Sequence, residues 1–102
     1  MEENRLKLQT LLEDVLGNKN VYFQPPESLK IQYPCIVYER NPIKNVVSDN
    51  SVYNQKLSYT ITLIDKNPCS DVVMKLSQLP LCRHDRCFKS DNLNHDVFSI
   101  YI

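Results

Sequence analysis

Glycine occurs only once in this chain, at Gly17. Loops that cradle phosphate, and backbones that close tightly on a cofactor, depend on glycine because it lacks a Cβ and takes left-handed conformations freely. No Rossmann fingerprint, P-loop or GxSxG elbow can be written from these residues. Asparagine takes over the turn positions, at Asn18, Asn20, Asn41, Asn50, Asn67, Asn92 and Asn94, since it tolerates left-handed backbone better than most residues. Net charge is missing too: Lys plus Arg number 12 and Asp plus Glu number 12. A protein that coats nucleic acid through bulk charge needs a basic surplus, whereas a neutral chain lacks the self-repulsion that keeps copies apart. No apolar run approaches the roughly 18–20 residues that span a bilayer. Met1-Glu2-Glu3-Asn4-Arg5 is acidic, unlike the basic start and apolar stretch of a secretory signal. The expectation is a chain kept in a reducing cytosol, where Cys35, Cys69, Cys82 and Cys87 stay as free thiols.

What is present is an ordinary globular composition, 42% apolar and 24% charged over 102 residues, enough for one hydrophobic core and a single domain spanning 1–102. Residues 3–16 read as a helix: Leu8, Leu11, Leu12 and Val15 form one stripe and Lys7, Gln9, Glu13 and Asp14 mostly the other, with Gly17 placed for a left-handed cap. Val21-Tyr22-Phe23 is a short β-prone run stopped by Pro25-Pro26. Residues 35–40 read as a central strand, Asn41-Pro42 as a turn, 43–47 as extended and 48–51 as a loop tip. Across 53–65, Leu57, Tyr59, Ile61 and Leu63 alternate with Lys56, Ser58, Thr60 and Thr62, the period-two pattern of a sheet with one buried face. Its length exceeds a usual strand, so part of it is expected to project as a hairpin arm. Ser70 suits an N-cap before a helix that ends at Pro80, with Val72, Val73, Leu76 and Leu79 on one face. Residues 82–89 and 95–102 read as two further strands. The fold class expected is α+β: a mostly antiparallel sheet with two helices packed on one face.

The residues capable of chemistry make poor sets. Cys82, His84, Cys87 and His95 could supply thiolate and imidazole to zinc, but the spacing lacks a CxxC knuckle and a regular strand would turn Cys87 away from Cys82 and His84. A Cys82 or Cys87 nucleophile with His84 or His95 has no oxyanion donor in view. Asp91 with Asp96, or Asp85 with Asp91, falls in turns where carboxylates usually cap or face water. Neither catalytic residues nor a metal or cofactor site is expected, and the chain is read as non-enzymatic. Arg83, His84, Arg86 and Lys89 form a basic cluster around Asp85; the simplest role is a charged edge strand, the functional one a row facing a partner. Regular alternation puts His84 and Arg86 on one face, and Arg83, Asp85, Cys87 and Lys89 on the other. Tyr22, Phe23, Tyr33, Tyr38, Tyr53 and Tyr59 are expected to pack in the core, hydroxyls at the rim, rather than stack on bases.

Several stretches resemble a known kind of protein. Val21-Tyr22-Phe23-Gln24-Pro25-Pro26, Tyr33-Pro34-Cys35-Ile36-Val37-Tyr38 and Tyr59-Thr60-Ile61-Thr62-Leu63-Ile64-Asp65 are similar to small phage and prophage proteins encoded among tail-assembly components. So are Leu76-Ser77-Gln78-Leu79-Pro80 and Asp91-Asn92-Leu93-Asn94-His95-Asp96-Val97-Phe98. The element order resembles the tail terminator (tail-to-head joining, tail completion) family of long-tailed bacteriophages, over nearly the whole chain. That resemblance implies a viral structural protein, assembled in the bacterial host cytoplasm into a homo-oligomeric ring, typically a hexamer, in the virion tail or neck. The ring would terminate the tail tube and meet both the tail tube protein and the head–tail connector proteins. DNA would only pass through its lumen, and no membrane is involved. The alternative is a morphogenesis adaptor or head-completion protein that binds one protein partner without forming a ring. A cyclic ring joins two different patches of each subunit. The expected interface lies in the 41–65 region and in 82–89, at Val46, Val47, Tyr53, Gln55, Lys56, Arg83 and Arg86.

Overall fold

The computed structural model describes residues 2–26, 28, 30–42, 44–48 and 51–101; for residue 2, 44–48 and 51–56 the description is of backbone alone. The elements run α1 (Glu2–Leu16), β1 (Val21–Phe23), β2 (Cys35–Arg40), β3 (Lys44–Ser48), β4 (Ser51–Lys56), β5 (Ser58–Asp65), α2 (Asp71–Ser77), β6 (Cys82–Ser90) and β7 (Leu93–Tyr101). Five strands form one sheet in the order β1-β2-β5-β7-β6, and β3 and β4 form a separate two-stranded sheet. Every neighbour in the large sheet is antiparallel except β1, which runs parallel to β2. The α+β architecture expected from the sequence is the one observed.

One face of the sheet carries the core. Ile36 and Tyr38 of β2 stand beside Leu63 and Ile61 of β5, and Phe98 and Ile100 of β7 stand beside Ile61 and Tyr59. All are buried, as are Leu8, Leu12 and Leu16 of α1 and Leu76 of α2, which pack over them. The helical stripe is centred slightly off the expected one: Leu16 is buried and Leu11 and Val15 only partly. Gln9, expected on the solvent side, is half-buried because Tyr38 Oη donates to its Oε1 at 2.6 Å and its Nε2 donates to the Val21 carbonyl at 3.0 Å. Phe23, Tyr38 and Tyr59 form an aromatic cluster with centroids 5.0–6.5 Å apart, the core role expected of these rings, whereas Tyr33, expected with them, is exposed beside Pro34.

Caps and turns follow local chemistry. Gly17 sits at φ +84° and closes α1 with its N–H on the Glu13 carbonyl. Ser70 caps α2, its side chain accepting from the Val72 N–H. Asp91 and Asn92, both at positive φ, make the two-residue turn that matches the twist of the β6–β7 hairpin. At the end of β1, Gln24 turns to φ +44°, donates its N–H to the Tyr38 carbonyl and accepts the Arg40 N–H on its side chain. That side chain satisfies the edge of β2 beyond the point where β1 ends.

The long strand expected over 53–65 is two strands. Leu57 belongs to neither β4 nor β5, because the ladder between β2 and β5 is tied off here. Asn41 donates its N–H to the Ser58 carbonyl and its Nδ2 to Ser58 Oγ, and accepts Thr60 Oγ1 at 2.6 Å. Pro42 follows and has no N–H to continue the ladder. Leu63, Ile61 and Tyr59 nonetheless face the core as the alternation requires. The strand at 82–89 extends to Ser90, and the last begins at Leu93 rather than 95. The second helix ends at Ser77, three residues before Pro80.

Candidate functional site

Two features of the fold remain without a role in the core. The first is the β3–β4 ribbon. It is inserted between the paired strands β2 and β5, with Lys44 opposite Lys56 at its root and a bulge between Val46 and Val47. Among the described residues its neighbours are almost wholly its own two strands. The radius of gyration is 14.8 Å and the long axis 50 Å against 25 and 24 Å for the others; a compact chain of about 100 residues would have a radius near 13 Å. An arm of five or six residues per strand adds about 20 Å of reach and accounts for the excess. Val46 and Val47 lie in β3, and Tyr53, Gln55 and Lys56 in β4; their side chains, and the tip at 49–50, lie outside the described residues.

The second is the sheet face opposite the helices. Register places its residues in rows across four strands. Glu39, Thr60, Ser99 and Arg83 form one row, and Val37, Thr62, Val97 and Arg86 the next. Cys35, Ile64, His95 and Phe88 form a third. Small and β-branched side chains fill the middle, while Glu39 stands at the β2 end and the two arginines at the β6 end. Beside Glu39 lies a depression of about 540 Å³, lined among others by Gln24, Pro25, Val37, Thr60 and Thr62.

The alternation expected for 82–89 is corrected by a bulge. The β6–β7 register slips between His84 and Arg86, leaving Asp85 without a partner and inverting the faces beyond it. Arg83 and Arg86 therefore share the open face, and His84, Cys87 and Lys89 take the other. Asp85 is held there: Ser99 Oγ donates to its Oδ2 and Arg83 Nε donates to its Oδ1 at 2.8 Å. The Ser99 hydrogen bond, the largest cause, outweighs the opposing effect of burial, and the Arg83 bond and charge add to it, so the carboxyl lies below the ordinary range. β6 is one of the two edge strands of the sheet, charged and bulged as such edges commonly are.

The sets weighed for chemistry do not assemble. With the bulge, Cys82, His84 and Cys87 fall on one face, but Cys82 pairs with Ile100 and Cys87 with Asp96, four residues apart on β7, or about 13 Å. No group of three His, Cys, Asp or Glu side chains is close enough to hold a metal among the described residues. His84 Nε2 lies 3.0 Å from Asp96 Oδ1 and its ring packs edge-on against Phe98. His95 is on the opposite face, stacked on Phe88 at 4.7 Å. Burial, with Asp65 nearby, pushes the Cys35 thiol up to about 12, and burial with Asp85 raises Cys82. Asp91 occupies the hairpin turn, and Asp85 and Asp96 point to opposite faces. No described helix is long and apolar enough to cross a membrane.

Sequence reasoning found the charged strand and the arm. It missed Glu39 and the row structure, because a row depends on register among four strands, and the Asp85 bulge leaves no compositional mark. The chain matches no protein-family model, curated protein or solved structure.

Proposed function

We propose that this chain is a structural assembly subunit. It forms a ring, a hexamer in the reading favoured by its resemblance to tail terminators, at the head-proximal end of a phage tail. There it ends the tail tube and joins it to the head connector. The observation that carries the reading is the β3–β4 arm, a ribbon that extends the molecule well beyond its core and whose neighbours among the described residues are almost wholly its own two strands. A two-stranded hairpin is marginal by itself in water, so an arm of this kind gains its stability by lying on a neighbour. Contacts between an arm and a different patch on the next copy are heterologous, the type that closes a ring. A neutral chain favours such association and does not grip DNA.

The test replaces residues 43–56 with a two-residue Asn-Gly turn, leaving the β2–β5 pair closed as a short hairpin. Electron microscopy and native mass of the full chain, alone and with tail tubes, should show rings that the shortened chain does not form. Rings that persist without the arm would refute the reading, and a one-to-one complex with a single partner would point to the adaptor instead.

A further inference from the structure

The sheet face opposite the helices, on which only Cys35 and Val97 are already buried within the chain, is complementary to itself. In the row Glu39–Thr60–Ser99–Arg83 the acidic residue is at one end and the basic one at the other, three strand spacings or about 14 Å apart. Arg86 ends the adjacent row on the same side. The depression of about 540 Å³ lies beside Glu39, while the Arg83 side chain is 79% exposed at the far end. One end of the face is thus hollow and acidic; at the other Arg83 and Arg86 project, and with Asp85 bridged to Arg83 at 2.8 Å one positive charge is in excess there.

We infer that this face binds the same face of a second copy about a two-fold axis. Placing the axis between β5 and β7, parallel to the strands, brings Glu39 of each copy over Arg83 of the other. Thr60 then meets Ser99, Thr62 meets Val97, and the stem of Arg86 crosses Val37. Each arginine end enters the depression beside the other copy's Glu39, so charge and shape are satisfied together and twice. The small central residues let the sheets approach to the roughly 10 Å of aligned sheet packing. With Cys35 and Val97 already covered, four strands and three rows bury at most on the order of 400 Å² per copy, in the class of weak, transient contacts; the dimer is transient rather than permanent. A dyad contact cannot close a ring, so this surface is separate from the arm and would join two subunits, or two rings, back to back.

The test is a charge exchange read by sedimentation velocity over a concentration series. Glu39→Arg alone, and Arg83→Glu with Arg86→Glu in one chain, should each weaken self-association at least about 10-fold through like-charge contact. Mixed together, the two variants have opposite charges at both ends and should form a heterodimer at least as tight as the wild-type dimer. That recovery also shows that both fold. Wild-type association unaffected by either variant, or a mixture that stays monomeric, overturns the inference. So does a wild-type chain that never self-associates through this face. Rings in all three chains, with a self-association that ignores the charge changes, would sink the face contact and leave the ring standing; a dimer that responds as described, without rings, would do the reverse.

Discussion

Replacing Asn41 by alanine should loosen the arm without unfolding the core. The Asn41 side chain donates to Ser58 Oγ at 3.1 Å and accepts from Thr60 Oγ1 at 2.6 Å, and all three residues are half-buried. Each such hydrogen bond contributes about 1 kcal/mol net, and water can reach part of the vacated site, so the loss is about 1–2 kcal/mol. The backbone bond from the Asn41 N–H to the Ser58 carbonyl survives the substitution. The damage therefore falls on the direction in which the ribbon leaves the sheet. Urea denaturation should show a lower midpoint with an unchanged slope. Amide exchange in β3 and β4 should quicken while amides of β5 and β7 keep their protection. A loss above about 4 kcal/mol, or arm amides that exchange as in the wild type, would refute the view that Asn41 acts as a tie at the arm's root.

Phe98→Ala should destabilise by about 3–5 kcal/mol in thermal or chemical unfolding, because the ring is fully buried between β5 and the helices. Tyr38→Phe should cost about 1–2 kcal/mol, since the buried hydroxyl donates to Gln9 and accepts from Arg5. Ser99→Ala should move the Asp85 carboxyl back up toward the ordinary range in an NMR titration, as it removes the largest cause of the depression. Because that carboxyl is depressed in the folded chain, its contribution is complete above the unfolded value of about 3.9 and disappears as pH falls through the folded value. Cys35 behaves oppositely: its thiol is raised to about 12, so its contribution holds below the unfolded value and declines as pH rises from about 9 toward 12. Native chains should react with a thiol reagent at the exposed Cys69 and Cys87 and not at Cys35.

Local chemistry made much of the fold legible. Gly17 and Ser70 marked a helix end and a helix start because capping depends on single residues. The alternation through Tyr59, Ile61 and Leu63 identified the core face of β5, since a strand has only two sides. Gln9 was misread because a half-buried amide is decided by what lies across from it, here a tyrosine 29 residues away. Leu57 was read as part of a strand because it keeps the period; only the Asn41 ties show that the ladder stops beside it. The faces of Arg86, Cys87 and Lys89 were inverted by one unpaired residue. The basic cluster was visible as composition, but its relation to Glu39 needed the full register of four strands.

The position of β7 has a consequence for how the chain comes into being. It lies between β5 and β6, yet its residues follow both in the order of synthesis. A growing chain can lay α1 on β2 and β5 early, but Phe98 and Ile100 are then still to come, and β6 has no sheet to join. The open flank of β5 stays available to any strand nearby until residues 93–101 emerge. Completion is therefore late: β6 has only β7 to pair with, across a two-residue turn, and the hairpin they form closes the open flank of β5 as one unit.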